Sequence, residues 1–526
     1  MAYVAPNSIV QFYGDMGLND NYDDTIYFAN TAAKDAYFSG PSWIIASAQA
    51  MTYTREQRGF IRVELPMSTL IGASYMRYKN TSFENKWFYA FVKNVEYVNN
   101  NCTQVNFEID SMMTWMGAFT LNECFIARCH QTTDTIGGNI LPEPVSVGEY
   151  TYNDYNELVI GSANECAIVV AIADADLYDS GVTQGNYYNG VYSGLTLYAF
   201  QRYDATGIAN LINTYSASPD SIVAMYLVPI AAITDTVPIS GGVRLSATGS
   251  GVAVRRTLET LAGNETLKGY TPRNKKLYTY PYNFECIDNG MGDTLTLRFE
   301  YAGSFEINVE VDYNIMSPVE VVLRPFAYKG TGADTLNTEV LTLTGFPVCA
   351  WVSDAYKAWF AQNALPTALS AGAHAAMGIG SVLTGNIFGA ARQANALLEE
   401  TVNWVSNDYK ASIAADYAKG NKASGSNNYS SGHMHFSYGR MSVNNQVARE
   451  IDKFFDLYGY TYNQYGTPNM NARPYWTYVK TVGCSVGGNI PADDASAIEN
   501  IFNKGVRFWK AHANIGQYSQ LNNAPI

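Results

Sequence analysis

From Ala358 to Ala391 the chain runs through 34 residues without one Asp, Glu, Lys or Arg, bracketed by Lys357 and Arg392. A stretch of that kind must be stored in a dry core or set against lipid, and either choice constrains everything around it. Spanning a hydrocarbon layer of roughly 30 Å takes about 20 apolar residues, so the length suffices. The strong inserters are Leu365, Leu369, Ile379, Val382, Leu383, Ile387 and Phe388. At roughly 0.3 to 0.6 kcal/mol each they contribute about 2 to 4 kcal/mol, which Ser370, His374, Ser381 and Asn386 largely offset. One copy is therefore a marginal span. Ala364, Ala368, Gly372, Ala376 and Gly380 recur at i+4, and Gly385 and Gly389 repeat the spacing. In a helix these form a smooth stripe for close contact with another helix, so several copies together insert more readily than one. A buried Ala/Gly helix or hinge in a large core is the competing reading of the same residues.

The rest of the chain is not membrane-like in pattern. Its 526 residues leave room for roughly two to four domains, each with its own core. Charged residues make up 15%, below the ~25% of an ordinary globular chain. The 40 tyrosines favour strands and wide contacts in which one end of the ring is dry and the other wet. Together these predict a β-rich, self-associating protein. A net charge of −14 argues against a nucleic-acid-binding surface, which needs clustered cations to displace counterions. Nucleic acid passing such a surface is repelled, not held. The seven cysteines, 102, 124, 129, 166, 286, 349 and 484, form no CxxC pair and are odd in number. That favours free thiols and folding in a reducing compartment. The opening residues, MAYVAP, carry no basic flank or apolar run of signal-peptide type.

Periodicity places several elements. Trp87 to Val98 and Thr103 to Ile109 read as two strands joined across Asn99 to Asn101, a hairpin signal. Arg62 to Leu65 and Cys124 to Cys129 read as short strands, with a helical turn over Ser111 to Met116. Ala167 to Ala171, Val223 to Leu227, Thr294 to Phe299, Phe305 to Val311 and Val319 to Leu323 extend the strand series. Their spacing predicts barrels or a sandwich. Near residue 350 the pattern turns helical: Trp351 to Phe360, the charge-free segment, then Arg392 to Lys419 with Ala394, Leu397, Leu398, Val402 and Val405 on one side. Gly420 to Gly439 reads as a flexible loop. Gln446 to Tyr458 predicts a helix, Trp476 to Val482 a strand, and Asp493 to Phe502 a final helix with two carboxylates in its first turn.

No catalytic pattern accompanies these elements. HExxH, the P-loop lysine and a strand-linked GxGxxG are missing from the sequence. His433 and His435 can share one face of a strand, but no third ligand lies nearby. Asp174-x-Asp176 opens like a calcium loop and then has Asp179 at the position that demands Gly and Gly185 where Glu belongs. Asp23 with Asp24, and Glu399 with Glu400, fit solvated faces or caps better than a glycosidase pair set across a cleft. We expect no catalytic, cofactor-binding or metal-ligating residues.

The flanks resemble a known family. Asn85 to Val92 (NKWFYAFV), Phe107 to Asp110 (FEID), Thr114 to Met116 (TWM) and Asn122 to Arg128 (NECFIAR) are similar to the distal tail-tube, or tail-knob, proteins of small short-tailed bacteriophages of Gram-positive hosts. So are Asn21 to Phe28 (NYDDTIYF), Phe454 to Tyr460 (FFDLYGY), Pro474 to Lys480 (PYWTYVK), Gly488 to Ile490 (GNI) and Ile501 to Trp509 (IFNKGVRFW). The similarity covers residues 1–130 and 445–512. It implies a mainly β fold with some α: β-barrel tube domains forming a hexameric ring, plus a long hydrophobic excursion that plugs the lumen and enters the host membrane when the genome is ejected. The implied division is a β-rich tube domain over 1–135, a second β-rich tube or insertion domain over 136–345, a membrane-active loop with flanking helices over 346–440, and an α/β block over 441–526. The implied partners are further copies in a homohexamer, the adjoining tail or collar protein, the tail-tip protein and the host cytoplasmic membrane, with double-stranded DNA passing through unbound. The implied location is the virion tail, after assembly in the host cytoplasm. The membrane-active residues expected on this reading are Ala364, Leu365, Leu369, Gly372, Ala376, Gly380, Val382, Leu383, Gly385, Ile387, Phe388 and Gly389. A receptor-binding or adhesin module, whose Tyr and Asn side chains contact wall glycans, explains the aromatics but not the charge-free segment. A tail-associated wall hydrolase explains neither.

Overall fold

The computed structural model describes residues 7–525 apart from 41, 51–58, 159–165, 183–185, 189–190, 202–204, 219–220, 234–235, 246–254, 264, 317, 331–338 and 350–433. The fold is mostly β with some helices. It has two compact units, each discontinuous in sequence: residues 1–148, 269–277 and 444–526 in the first, 149–268 and 278–443 in the second.

The first unit begins with six antiparallel strands in the order Ile44–Gln49, Ile9–Tyr13, Tyr75–Lys79, Phe88–Asn99, Cys102–Ile109, Phe60–Val63. Side chains alternate across a strand, and here both faces are buried. Val10, Phe12, Met76, Tyr78, Phe88, Ala90, Val105 and Phe107 pack on one face, while Tyr13, Tyr75, Tyr89 and Phe91 pack with Phe38 and Met113 on the other. The predicted hairpin is present, with the turn narrowed to Asn100 and Asn101. Arg77 points into the aromatic layer. Its Nε donates to Gln11 Oε1 at 2.7 Å, a terminal nitrogen donates to Ser39 Oγ at 3.1 Å, and the guanidinium lies 4.1 Å from the Trp87 ring centre.

Strand spacing predicts barrels or a sandwich, and the structure departs from the barrel expectation. Among the described residues the sheet paths stay open, and no barrel is closed. The six-stranded sheet curls until its two edges touch at one isolated bridge, Ala50 to Val63. A single bridge leaves most edge N–H and C=O groups outside a continuous ladder, so the ring of strands is incomplete.

A second sheet in this unit runs Asp24–Ile26, Val506–Trp509, Trp476–Val482, Cys124–Cys129, Tyr460–Gly466. Only the first pair is parallel. The short strand is held by one carboxylate. Asp24 Oδ1 accepts from Trp509 Nε1 at 2.7 Å, Arg507 Nε at 2.9 Å and Tyr518 Oη at 3.0 Å. The terminal helix, Ala492–Lys504, carries Asp493 and Asp494 in its first turn. Asp494 also reaches away from the helix, accepting from Ser111 Oγ and Trp115 Nε1, each at 2.8 Å. Ile498, Ile501 and Phe502 meet Ile126, Val479 and Phe508 in the core beneath it.

His130 sits in this core with a defined tautomer. Its Nδ1 accepts from the Tyr478 backbone N–H at 2.8 Å, and Nε2 faces the Phe455 carbonyl at 3.2 Å. A second proton on Nδ1 would confront an N–H donor. Burial, with Arg473 and Arg128 adding to it, pushes the imidazole down to about 3. A base with a depressed native pKa is bound by protons more in the unfolded chain, so stability falls as pH drops from about 6.5 toward 3, by up to about 5 kcal/mol. Asp110 works oppositely: burial raises it to about 6 despite the Met113 N–H and Tyr75 hydroxyl, so its share of stability increases as pH falls from about 6 to 4. His130→Asn keeps a carbonyl oxygen near the Nδ1 position and removes the titration, leaving Asp110 in place. We expect the wild-type melting temperature to fall relative to His130→Asn between pH 6.5 and 4 in calorimetry. Parallel curves would refute the assignment.

The second unit holds three larger sheets besides the two-stranded pair Asn186–Tyr188 and Val191–Ser193. One runs Thr236–Ile239, Gly242–Leu245, Thr196–Gln201, Cys166–Ile172, Ile222–Pro229, Val348–Cys349, with helix Ala205–Thr214 placing Leu211 beside Val170, Tyr198, Phe200 and Ile222. A four-stranded sheet runs Arg255–Ala262, Glu306–Tyr313, Val321–Phe326, Leu341–Leu343. The third pairs Tyr150–Tyr152 and Asn156–Leu158 with Phe436–Val443, followed by Asn283–Asp288 and Thr294–Leu297.

Candidate functional site: the anchors of the charge-free segment and the buried polar clamp

The twelve membrane-active residues predicted from sequence, Ala364 to Gly389, lie outside the described residues, as do the expected helices at 351–360 and 392–419 and the Glu399–Glu400 pair. Among the described residues no helix is long and apolar enough to cross a membrane. The described chain supplies the points where this segment leaves and returns, both in the second unit.

The departure is slight. Val348–Cys349 is a two-residue strand at the edge of its sheet, pairing with Tyr226 and Met225, and the Leu227 N–H donates to the Pro347 carbonyl at 3.0 Å. The return is firm. Phe436–Val443 is paired along both sides, by Asn283–Asp288 on one and by Tyr150–Tyr152 with Asn156–Leu158 on the other. The Gly/Ser-rich composition up to Gly439 predicts a loop, and the structure makes its last residues a buried strand. Glycine there reflects close approach: a Cβ at Gly439 would lie 2.7 Å from the Asp154 carbonyl and 2.8 Å from the Tyr152 ring. His433 lies outside the described residues; His435 is buried with Nε2 3.5 Å from Glu157 Oε1.

Directly after the return strand, helix Asn445–Tyr458 opens on Asn444, whose side chain accepts from the Val447 N–H at 2.9 Å. This helix belongs to the first unit and presents Asp452, which is fully buried. Asp452 Oδ2 accepts from Tyr270 Oη at 2.6 Å and the Arg273 N–H at 2.8 Å; Oδ1 accepts from the Asn274 N–H at 3.1 Å and from Asn274 Nδ2 at 2.7 Å. One turn on, Asp456 Oδ1 accepts from Asn274 Nδ2 at 2.8 Å, and Arg273 pairs with the other oxygen. Burial raises the Asp456 carboxyl to about 6, with Arg273 opposing.

The clamp continues through Glu143, whose side chain is fully buried. It pairs with Arg128 and Lys276 and accepts from the Thr461 N–H at 2.8 Å and Thr461 Oγ1 at 2.9 Å. Asp134 Oδ2 accepts from the Lys275 N–H and from Tyr460 Oη, both at 2.9 Å. Residues 134–143, 270–276 and 452–461 are thereby stitched together inside the first unit, although 269–277 is flanked on both sides by chain of the second unit. Sequence reasoning missed this cluster. Its one local signal is Asp452 with Asp456, like charges at i,i+4, which disfavour an isolated exposed helix. Each of these carboxylates is engaged by donors, which suits fastening and leaves no free acid–base pair. Among the described residues no group of His, Cys, Asp and Glu could hold a metal ion.

Comparison with known proteins agrees with this architecture. Residues 253–523 match the C-terminal domain family of the tail knob protein gp9 of Bacillus phage phi29, and residues 6–120 match the caudoviral major tail protein N-terminus. The tail knob protein gp9 of Bacillus phage phi29 is 25% identical, aligned over 99% of this chain and 100% of its own length; that of Bacillus phage B103 is 24% identical with the same coverage. The solved structure of the bacteriophage C1 tail knob protein gp12 superimposes with a TM-score of 0.65 over 97% of each chain at 14% identity.

Proposed function

This chain belongs to the phage tail knob family of the gp9 type, and from that we propose that it builds a hexameric channel at the distal end of a short tail, closed by hydrophobic segments that enter the host membrane at genome ejection. It is a structural component of the virion tail, and its relatives are structural tail knob proteins, not enzymes. The proposal goes further than kinship. Its main support is the charge-free stretch 358–391, placed between a two-residue edge strand and a strand paired along both sides.

The weakness of the span has a reason on this reading. A segment apolar enough to insert alone would aggregate during cytosolic assembly. Six marginal segments shielded inside a ring, with their small-residue stripes side by side, act together when released. The acidic net charge of −14 suits a lumen that repels phosphates and lets DNA slide; a lumen lined mainly by Lys and Arg would contradict this. The remaining partners follow from the same position: the adjoining tail or collar protein above, the tail-tip protein and the host cytoplasmic membrane below.

The ring is tested by mass. The purified protein should elute and scatter light as a particle near six times 57.8 kDa and show a hollow tube by electron microscopy. A monomer stable at micromolar concentration would remove the channel reading and leave an adhesin in its place.

A further inference from the structure

The sheet containing the return strand carries a polar layer where apolar packing is the rule. Asn283 faces Ser442 and Glu285 faces Arg440 across the pairing of Asn283–Asp288 with Phe436–Val443, and Glu285 faces Leu297 on its other side. All four polar side chains are buried, Glu285 with 2% exposed. A terminal nitrogen of Arg440 and the Ser442 hydroxyl on the return strand have partners other than Glu285 and Asn283. An Arg440 terminal nitrogen donates to the Thr266 carbonyl at 3.0 Å and lies 3.9 Å from Asp154 Oδ2. Ser442 Oγ accepts from Asn153 Nδ2 at 2.8 Å and donates to the Val443 carbonyl at 2.9 Å. Glu285 Oε1 and both amide atoms of Asn283 have no hydrogen-bond partner.

Charge is also out of balance. Buried Glu285 and half-exposed Asp154 supply two carboxylates against the single guanidinium of Arg440. A buried carboxylate with an unpartnered oxygen costs several kcal/mol, and such a group neutralises itself when it can. A neutral carboxyl brings an O–H donor to the face that holds Asn283 Oδ1 two residues away, within the reach of a glutamate.

We propose that Glu285 is a proton-holding switch within this sheet: protonated, it completes the Asn283 layer; ionised, it leaves an uncompensated charge that loosens the pairing of Asn283–Asp288 with Phe436–Val443. The titratable groups around it are Arg440 and Tyr438 on the return strand, Asp154 beside that strand, Cys286 on its own strand, Tyr278 near Arg440 and Glu259 near Tyr438. Burial is the largest influence, Asp154 adds to it and Arg440 opposes, and together they raise the Glu285 carboxyl to about 8. The inference concerns the sheet and stands whether or not the chain forms a membrane channel.

The sign follows from linkage. An acid whose native pKa is raised holds its proton in the folded sheet where the opened sheet has lost it, so opening becomes easier as pH rises from about 4.5 to 8 and levels off above. Native-state hydrogen exchange of the 436–443 amides in the assembled full-length protein, corrected for the intrinsic pH effect, reads this directly. The opening constant should rise at least tenfold from pH 6 to 8 in wild type and stay within twofold in Glu285→Gln. Asp154→Asn, which removes the nearby negative charge, should make the rise level off at lower pH. Equal pH dependence in wild type and Glu285→Gln overturns the proposal. Should Glu285→Gln fail to fold, an unshifted profile in Asp154→Asn overturns it instead.

Discussion

On the proposed function, Gly380→Asp combined with Ile387→Asp should abolish liposome permeabilisation and DNA delivery while the purified particle keeps its size. Each carboxylate placed in the apolar limb adds about 2.5 to 3.5 kcal/mol against insertion. The whole limb gains only about 2 to 4 kcal/mol from its seven strong inserters on the same scale, so two charges reverse the sign of insertion. Assembly should be spared because the described strands nearest the altered positions, Val348–Cys349 and Phe436–Val443, keep their sequence. Deleting Ala364 to Ala390 should reproduce the phenotype. Dye release from anionic vesicles and electron microscopy of the same preparation separate the two effects. A deleted or doubly charged particle that still releases dye would reduce the segment to a spacer and return the membrane activity to another surface.

Asp452→Ala should prevent the first unit from folding stably. The substitution leaves the Tyr270 hydroxyl, the Arg273 and Asn274 backbone N–H groups and one Asn274 amide bond without their acceptor. The two buried Asn274 donors stranded in this way cost about 1 to 3 kcal/mol apiece, and the part-buried Tyr270 hydroxyl and Arg273 N–H cost less. Relaxation recovers part of that, and a net loss of about 3 to 5 kcal/mol is a large share of a stability of about 5 to 15 kcal/mol. Soluble yield falls sharply and the urea midpoint of the recovered protein drops. Asp452→Asn keeps one acceptor oxygen and should lie between the two. An Asp452→Ala protein as stable as wild type would mean that the clamp is dispensable and that Glu143 and Asp134 hold residues 270–276 without it.

Legibility from sequence followed range. The hairpin at Phe88–Asn99 and Cys102–Ile109 is readable because its strands and turn sit side by side. Cys124–Cys129, Trp476–Val482 and helix Asn445–Tyr458 are readable from their own periodicity. Thr294 to Phe299, read as one strand, becomes a strand to Leu297 and a helical turn from Phe299, because Gly303 at positive φ closes that turn. Phe436–Val443 defied composition: Gly, Ser and Arg carry little strand propensity, and the strand exists because partners flank it on both sides. The anchors of the charge-free segment were half legible for the same reason. The segment announces itself by missing charge, whereas the grip on its returning end lies in residues 150–158 and 283–288.

The sequence by itself determined what each stretch prefers locally: an uncharged segment of membrane-spanning length, strand-forming flanks rich in aromatics, helices with their caps, and the tail-knob motifs at both ends. Only the tertiary structure decided which distant stretches meet. It brought Asp24 onto Trp509 and Arg507, drew residues 270–276 onto Asp452, and let the edges of the six-stranded sheet meet at a single bridge, leaving its ring incomplete. Local preference is written in neighbouring residues, but the partner of a buried carboxylate or an edge strand is selected by the energy of pairing segments hundreds of residues apart, and no window of sequence contains both sides of that contact.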